Sequence, residues 1–196
     1  MPMGSVSLTE RYEEALKYAF QLHRRQVRKG SGIPYVSHLL AVSALVMQDG
    51  GDEDQAIAGL LHDAVEDQGG QKTLDEIQRK FGERVAEIVL GCSDTLESPK
   101  PPWRERKEKY LAHLESASVE VRRVSQADKL HNASSILQDL HREGTGVWGR
   151  FKGGKEGTLW YFDELLRIFR KVQPSPLVAE LDLLVEEIKT FDSKYH

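Results

Sequence analysis

Gly59-Leu60-Leu61-His62-Asp63-Ala64-Val65-Glu66-Asp67 is the stretch on which the reading of this chain turns. It sets a histidine and three carboxylates directly after an apolar run, Ile57-Ala58-Gly59-Leu60-Leu61. Read as helix, His62 and Glu66 lie one turn apart, and so do Asp63 and Asp67. Neighbouring helical residues differ by about 100°. His62 and Asp63 then lean toward one point, and Glu66 and Asp67 reach the space beyond it. That is the pattern of two metal ligands followed by two groups that handle a water molecule. A single His-Asp pair on a helix is ordinarily a surface pair or a cap. Four polar groups joined to an apolar run are different, because buried charge is costly unless paired or metal-bound.

Two more polar residues sit in apolar helical company. Pro34 suits the first turn of a helix over residues 34–48, which carries Val36, Leu39, Leu40, Val42, Leu45 and Val46, with His38 near its start. A second helix, over residues 119–140, holds Asp128 among Val121, Val124, Ala127 and Leu130, with Asn132 one turn on. Together His38, His62, Asp63 and Asp128 offer two imidazoles and two carboxylates from three helices. Mixed nitrogen and oxygen donors suit manganese, iron, cobalt or zinc and do not select among them. A bound ion of this kind lowers the pKa of water and polarises phosphorus-bound oxygen, so the chemical reading is hydrolysis of a phosphate ester or anhydride.

The remaining elements are helical too. Residues 9–29 read as a first helix with a basic end, Arg24, Arg25, Arg28 and Lys29, stopped by Gly30. Residues 53–65 form the helix that delivers the opening stretch. Thr73-Leu74-Asp75-Glu76 reads as a capping box for a short helix to Phe81. Helices follow over 83–90, 103–114, 159–171 and 177–191. The charged run of 103–114, with Arg104, Arg106, Lys107 and Lys109, reads as a solvated face. The glycine-rich residues 144–157 read as a flexible lid or pocket rim, and the proline-rich residues 98–102 as a loop. No stretch reads as a strand. The expectation is an all-α chain of about eight to ten helices.

Composition narrows the class. The 196 residues suit a single domain, residues 1–196, with a core of its own. Hydrophobic residues are 39% and charged residues 30%, which is globular and rather polar. The net charge of -4 does not suggest nucleic-acid binding. One cysteine, Cys92, excludes an internal disulfide and a cysteine-based zinc site, and points to a reducing cytoplasm. The N-terminus has no apolar leader core. The longest apolar run, residues 39–47, is broken by Ser43 and falls far short of the roughly 20 residues that span a bilayer.

With these residues in place the chain resembles the HD superfamily of metal-dependent phosphohydrolases. Within that superfamily it looks like the alarmone hydrolase domain of RelA/SpoT-type proteins and the small alarmone hydrolases of the MESH1 type. The matching text is Gln26-Val27-Arg28-Lys29, Ile33-Pro34-Tyr35-Val36-Ser37-His38, Leu60 to Asp67 of the opening stretch, Phe81-Gly82, Arg106-Lys107 and Ala127-Asp128-Lys129-Leu130-His131-Asn132. The resemblance implies an HD-domain helical bundle in which His38, His62, Asp63 and Asp128 hold one Mn2+. It implies that Glu66 and Asp67 activate or orient the attacking water. Arg28, Lys29 and Asn132 would contact the nucleotide, with Tyr161 approaching it from a late helix. Relatives often carry an arginine one turn before that tyrosine; here the position is Gly157, and Lys155 is the nearest cation. The implied activity is removal of the 3′-pyrophosphate of guanosine alarmones, without a synthetase activity.

Two other functions fit the same residues. One keeps the metal and changes the nucleotide, to an adenosine alarmone, NADPH or a dNTP. The other is a nucleotide-binding sensor or antitoxin without turnover. Glu66 and Asp67 argue against the latter, because two carboxylates beside an anionic ligand weaken binding unless metal, Arg or Lys offsets them. The cations expected near the site are few: Arg28, Lys29 and Lys155. No nucleic acid or membrane partner is expected.

Overall fold

A computed structural model describes residues 6–97 and 99–195, the last four of these by backbone alone. The leader argument rests partly on residues 1–5 and the proline-rich loop begins at Ser98; both lie outside the described residues. The chain is all-α. Among the described residues ten α-helices run in the order α1 Glu10–His23, α2 Val36–Gln48, α3 Glu53–Leu61, α4 Ala64–Gln68, α5 Gln71–Phe81, α6 Glu83–Cys92, α7 Trp103–Ser116, α8 Val119–Glu143, α9 Gly154–Val172 and α10 Pro176–Tyr195. A 3-10 turn, Gly144–Arg150, joins α8 to α9. None of these helices is long and apolar enough to cross a membrane.

The helix starts follow from short polar caps. Thr9, Asp52 and Ser118 accept backbone N–H groups of Arg11, Gln55 and Val121 at 3.2, 3.1 and 3.2 Å, satisfying donors that the first helical turn leaves open. α3 is the centre of the fold: residues 55–61 are all buried, with α1, α2, α6 and α8 around it. Its contact with α2 is close. A Cβ built on Gly59 would lie 3.0 Å from the Ser43 Cα, so a larger residue there would have to push the two backbones apart by a few tenths of an ångström. Ser43, the polar break in the apolar run of α2, is satisfied there: its hydroxyl donates to the Ala56 carbonyl at 2.8 Å and pairs with the Tyr12 hydroxyl at 2.8 Å. α8 is the second hub, packed on α2, α6 and α10.

Four local features depart from the sequence expectation. α1 stops at His23 instead of running to residue 29. Residues 24–35 fold back, with an antiparallel bridge between Val27 and Pro34. The helix of the opening stretch breaks at His62 and Asp63, where ψ opens to -5° at Asp63 before α4 begins. Adjacent residues of an unbroken helix point about 100° apart; the break lets both side chains face one point. Thr73 does not cap α5. Gly69 and Gly70, at φ 136° and 59°, reverse the chain so that the helix starts at Gln71, and the Thr73 hydroxyl donates back to the Gln68 carbonyl at 2.9 Å. The glycine-rich stretch is packed rather than loose: Val147 and Trp148 are buried, and α9 already begins at Gly154.

Candidate functional site

The C-terminal end of α3, the first turn of α2 and the middle of α8 meet at one point. Ligand atoms of His38, His62 and Asp128 lie within 4.8 Å of one another. Asp63 joins them: its Oδ2 is 3.0 Å from His62 Nε2 and 3.5 Å from His38 Nε2. His38 Nε2 is 3.2 Å from Asp128 Oδ1. Each histidine is oriented through its other nitrogen. His62 Nδ1–H donates to the Gly59 carbonyl at 2.8 Å, and His38 Nδ1 shares a hydrogen with His131 Nδ1 at 2.8 Å. Burial, and then the neighbouring His38, lower the His131 pKa to about 4. His131 is therefore neutral; with the proton of the pair on His38 Nδ1, His38 Nε2 would present its lone pair to an ion. Both Nε2 atoms are buried with no hydrogen-bond partner among the described residues. Two orphaned imidazole nitrogens facing two carboxylates fit a divalent ion.

The electrostatics favour positive charge at the same point. Burial disfavours charge on His62, yet the Asp63 and Asp128 carboxylates hold its pKa up to about 10. Burial likewise opposes charge on Asp63 and Asp128, yet His62 beside the first and Lys129 beside the second keep both well below the usual carboxylate range. A bound divalent ion meets the same demand without a proton. Tyr35 completes the surround: its hydroxyl donates to Asp63 Oδ2 at 2.6 Å, and burial followed by the Asp63 charge raises its pKa, so it remains a donor.

Glu66 and Asp67 lie on α4, on the wall of the same cavity. Glu66 Oε1 accepts from Lys100 Nζ at 2.9 Å and is 3.8 Å from Arg106. Asp67 Oδ2 accepts from Gln26 Nε2 at 2.8 Å, and Asp67 Oδ1 is 3.6 Å from Lys100. Behind Glu66 stands Asp94, ion-paired to Arg106 and, at 2.8 Å, to Lys107. Burial and the Asp94 charge raise the Glu66 pKa, against the pull of Lys100.

The cavity has a volume of about 1040 Å³. Arg28, Lys29, Asn132 and Tyr161 line it, and Lys155 does not. Arg28 donates to Asn132 Oδ1 at 2.8 Å, and Asn132 donates to Asp128 Oδ1 at 2.6 Å. The Tyr161 hydroxyl is buried with no hydrogen-bond partner among the described residues. The place of a side chain at Gly157 is taken by Trp103, whose ring is 3.2 Å from a Cβ built there. Lys107 and Lys129 flank the Tyr161 ring instead, at 5.0 and 6.0 Å from its centroid.

Cations in the cavity wall are far more numerous than the sequence suggested. Arg25, Lys100, Arg106, Lys107, Lys129, Arg142, Arg150 and Lys152 join Arg28 and Lys29. The charged run of α7 is not a solvated face throughout: Arg106 is buried, as are Tyr110, Leu111 and Leu114. The signal is present as helical spacing, because Arg106, Tyr110 and Leu114 recur every fourth residue on one face. Asp94 and His23 carry no such signal, and Gln26 and Tyr35 are marked only by lying in the stretches that carry the family resemblance.

Residues 15–159 match the family described as HD domain. The Xenopus tropicalis guanosine-3′,5′-bis(diphosphate) 3′-pyrophosphohydrolase MESH1 is 38% identical over 132 residues, which is 66% of this chain and 69% of that protein. The Homo sapiens protein of the same description is 36% identical over 132 residues, with 66% and 69% covered. The solved structure of a metazoan ortholog of SpoT, described as hydrolysing ppGpp, has a TM-score of 0.71 and 27% identity, covering 97% of this chain and 99% of that one. The order of the helices, the convergence of α2, α3 and α8 and these similarities agree: the chain belongs to the HD-domain family, in the group that contains the MESH1 proteins.

Proposed function

We propose that this chain hydrolyses guanosine 3′,5′-bis-diphosphate at its 3′ side, releasing pyrophosphate and leaving the 5′-diphosphate intact. One Mn2+ would be held by His38, His62, Asp63 and Asp128. The observation that carries the reading is the pair of buried, unpartnered imidazole nitrogens facing two carboxylates at the floor of a cation-lined cavity. The names of the MESH1 relatives supply the nucleotide. Bound there, a divalent ion supplies Lewis-acid polarisation of phosphorus-bound oxygen and acidifies water.

The protein groups divide the remaining work. Glu66 and Asp67 take up the proton of the attacking water, each kept in place by a neighbour, Lys100 and Gln26. Lys100, Arg106, Lys107 and Lys129, with the free Tyr161 hydroxyl, stabilise the charge on the departing pyrophosphate. Arg25, Arg28 and Lys29 come from the folded-back residues 24–35, and Arg142, Arg150 and Lys152 from the end of α8 and the segment after it. This second group suits the 5′-diphosphate. Both sets line the same cavity, and the second is tied to the folded-back segment: Arg28 bonds Asn132, and the Arg150 side chain lies against Gly30. A nucleotide with phosphates on both sides of the ribose uses both sets, and a simple 5′-triphosphate uses one. The chain's single cysteine, Cys92, is a free, partly buried thiol, which suits a reducing compartment, and we place the activity in the cytoplasm.

Phosphorus NMR of the products made with Mn2+ tests the proposal. The expected products are pyrophosphate and a guanosine 5′-diphosphate. A 3′-monophosphate product, or faster turnover of GTP than of the alarmone, refutes it.

A further inference from the structure

Residues 24–35 do more than present Arg28 and Lys29. Beside the Val27–Pro34 bridge, Arg28 N–H donates to the Ile33 carbonyl at 2.8 Å and Tyr35 N–H to the Gln26 carbonyl at 2.9 Å. Three side chains leave this clip for three polar residues of the site. Arg28 reaches Asn132, Tyr35 reaches Asp63 and Gln26 reaches Asp67, at 2.8, 2.6 and 2.8 Å.

Gln26 differs from the other two, because its orientation needs a second residue. Gln26 Nε2 donates to Asp67 Oδ2, so the amide turns Oε1 away from Asp67. There Oε1 meets His23 Nδ1 at 2.8 Å and Gln68 Nε2 at 2.5 Å, and both must donate. His23 is buried, and burial lowers its pKa, so the ring is neutral and carries one proton. The contact to Gln26 Oε1 places that proton on Nδ1. The ring cannot turn freely, because it stacks on Tyr35 with centroids 5.3 Å apart and planes 18° from parallel.

We infer that His23 and Gln26 are positioning residues for Asp67: the His23 Nδ1–H fixes the Gln26 amide, and the amide aims the Asp67 carboxylate at the attacking water. The inference rests on the reading of Asp67 as a water-handling group. Without the amide, the nearest partner left to Asp67 is Lys100, at 3.6 Å on the other oxygen, which draws the carboxylate away. A hydrogen bond to a charged group is worth about ten- to hundredfold in an equilibrium.

Full-length variants with Mn2+ and guanosine 3′,5′-bis-diphosphate test it, with kcat, KM, bound metal and Tm all measured. Gln26→Leu should lower kcat by about ten- to hundredfold with KM and metal content unchanged. His23→Ala should do the same. His23→Asn, whose Nδ2 stands where Nδ1 stood, should recover most of the kcat. Both His23 variants lose the ring stacked on Tyr35 and both should melt lower, so activity follows the donor while stability follows the ring. Equal kcat in His23→Ala and His23→Asn overturns the inference, as does a Gln26→Leu variant that raises KM at unchanged kcat. Wild-type kcat in Gln26→Leu beside an inactive Asp67→Asn overturns it and leaves the role of Asp67 standing. Wild-type kcat in Asp67→Asn brings down that role and the inference together.

Discussion

Asp94→Asn removes one negative charge from the cationic wall of the cavity and leaves the side-chain shape unchanged. In the native chain Asp94 Oδ2 receives both Arg106 and Lys107, and the side chains of Asp94 and Arg106 are only 4% and 8% exposed. Burial raises the Asp94 pKa, but Lys107 and Arg106 more than offset it and hold the carboxyl at about 2. Breaking a buried ion pair from one side costs about 3–5 kcal/mol. Glu66, 3.8 Å from Arg106, recovers part of this, and Lys107 lies on the open cavity. The expected loss is therefore about 2–3 kcal/mol, the same order as a carboxyl displaced from its ordinary value of about 3.9. For a chain of this size each kcal/mol moves Tm by about 2–4 °C, so the variant should melt roughly 5–10 °C lower at neutral pH. The folded pKa of Asp94 lies below the unfolded one. Its contribution is thus fully present above about pH 4 and lost as pH falls through about 2. The Tm gap between wild type and variant should close across that window. Glu66 provides a second readout. Its pKa is raised by burial and by the Asp94 charge, so losing that charge lowers it. The acid limb of the kcat–pH profile should then move to lower pH. Calorimetry across pH and a pH–kcat profile measure both. A Tm gap that stays constant down to about pH 2, or an acid limb that does not move, refutes the reasoning.

Other substitutions separate the parts of the site. Asp63→Ala should lose both bound metal and activity, and full metal occupancy would remove Asp63 from the ligand set. The wild type should bind one ion per chain, since one candidate cluster is found among the described residues; two tightly bound ions by metal analysis would contradict this. Glu66→Gln should keep its metal while kcat falls about 10²- to 10⁴-fold, and wild-type kcat would leave Asp67 as the activator. Gly59→Ala places a methyl group 3.0 Å from the Ser43 backbone. Overpacking of this kind costs about 1–3 kcal/mol. Because α2 carries His38 and α3 ends at His62, metal affinity should fall along with Tm, and an unchanged melting curve would show that the two helices part without cost.

The all-α class and the positions of most helices are legible in the sequence, because helical periodicity and short polar caps are local signals. His38, His62, Asp63 and Asp128 stand out for a related reason: each is a polar group in apolar company, where burial demands a partner. The break at Asp63, the glycine reversal that moves the start of α5 away from Thr73, and the clip after α1 are not legible. Each is settled by contacts with other elements, such as Tyr35 on Asp63 and Gln26 on Asp67. The charge of the cavity wall is the clearest case. Arg25, Lys100, Arg142 and Lys152 look like ordinary surface cations in a chain of net charge -4, because charge along a sequence carries no record of direction. By itself the sequence determined the helices and the chemically costly residues within them, since these depend on neighbours a turn away. Only the tertiary structure decided which cations converge on the cavity and which side chain orients which carboxylate, since those distances exist only after segments far apart in the chain have packed together.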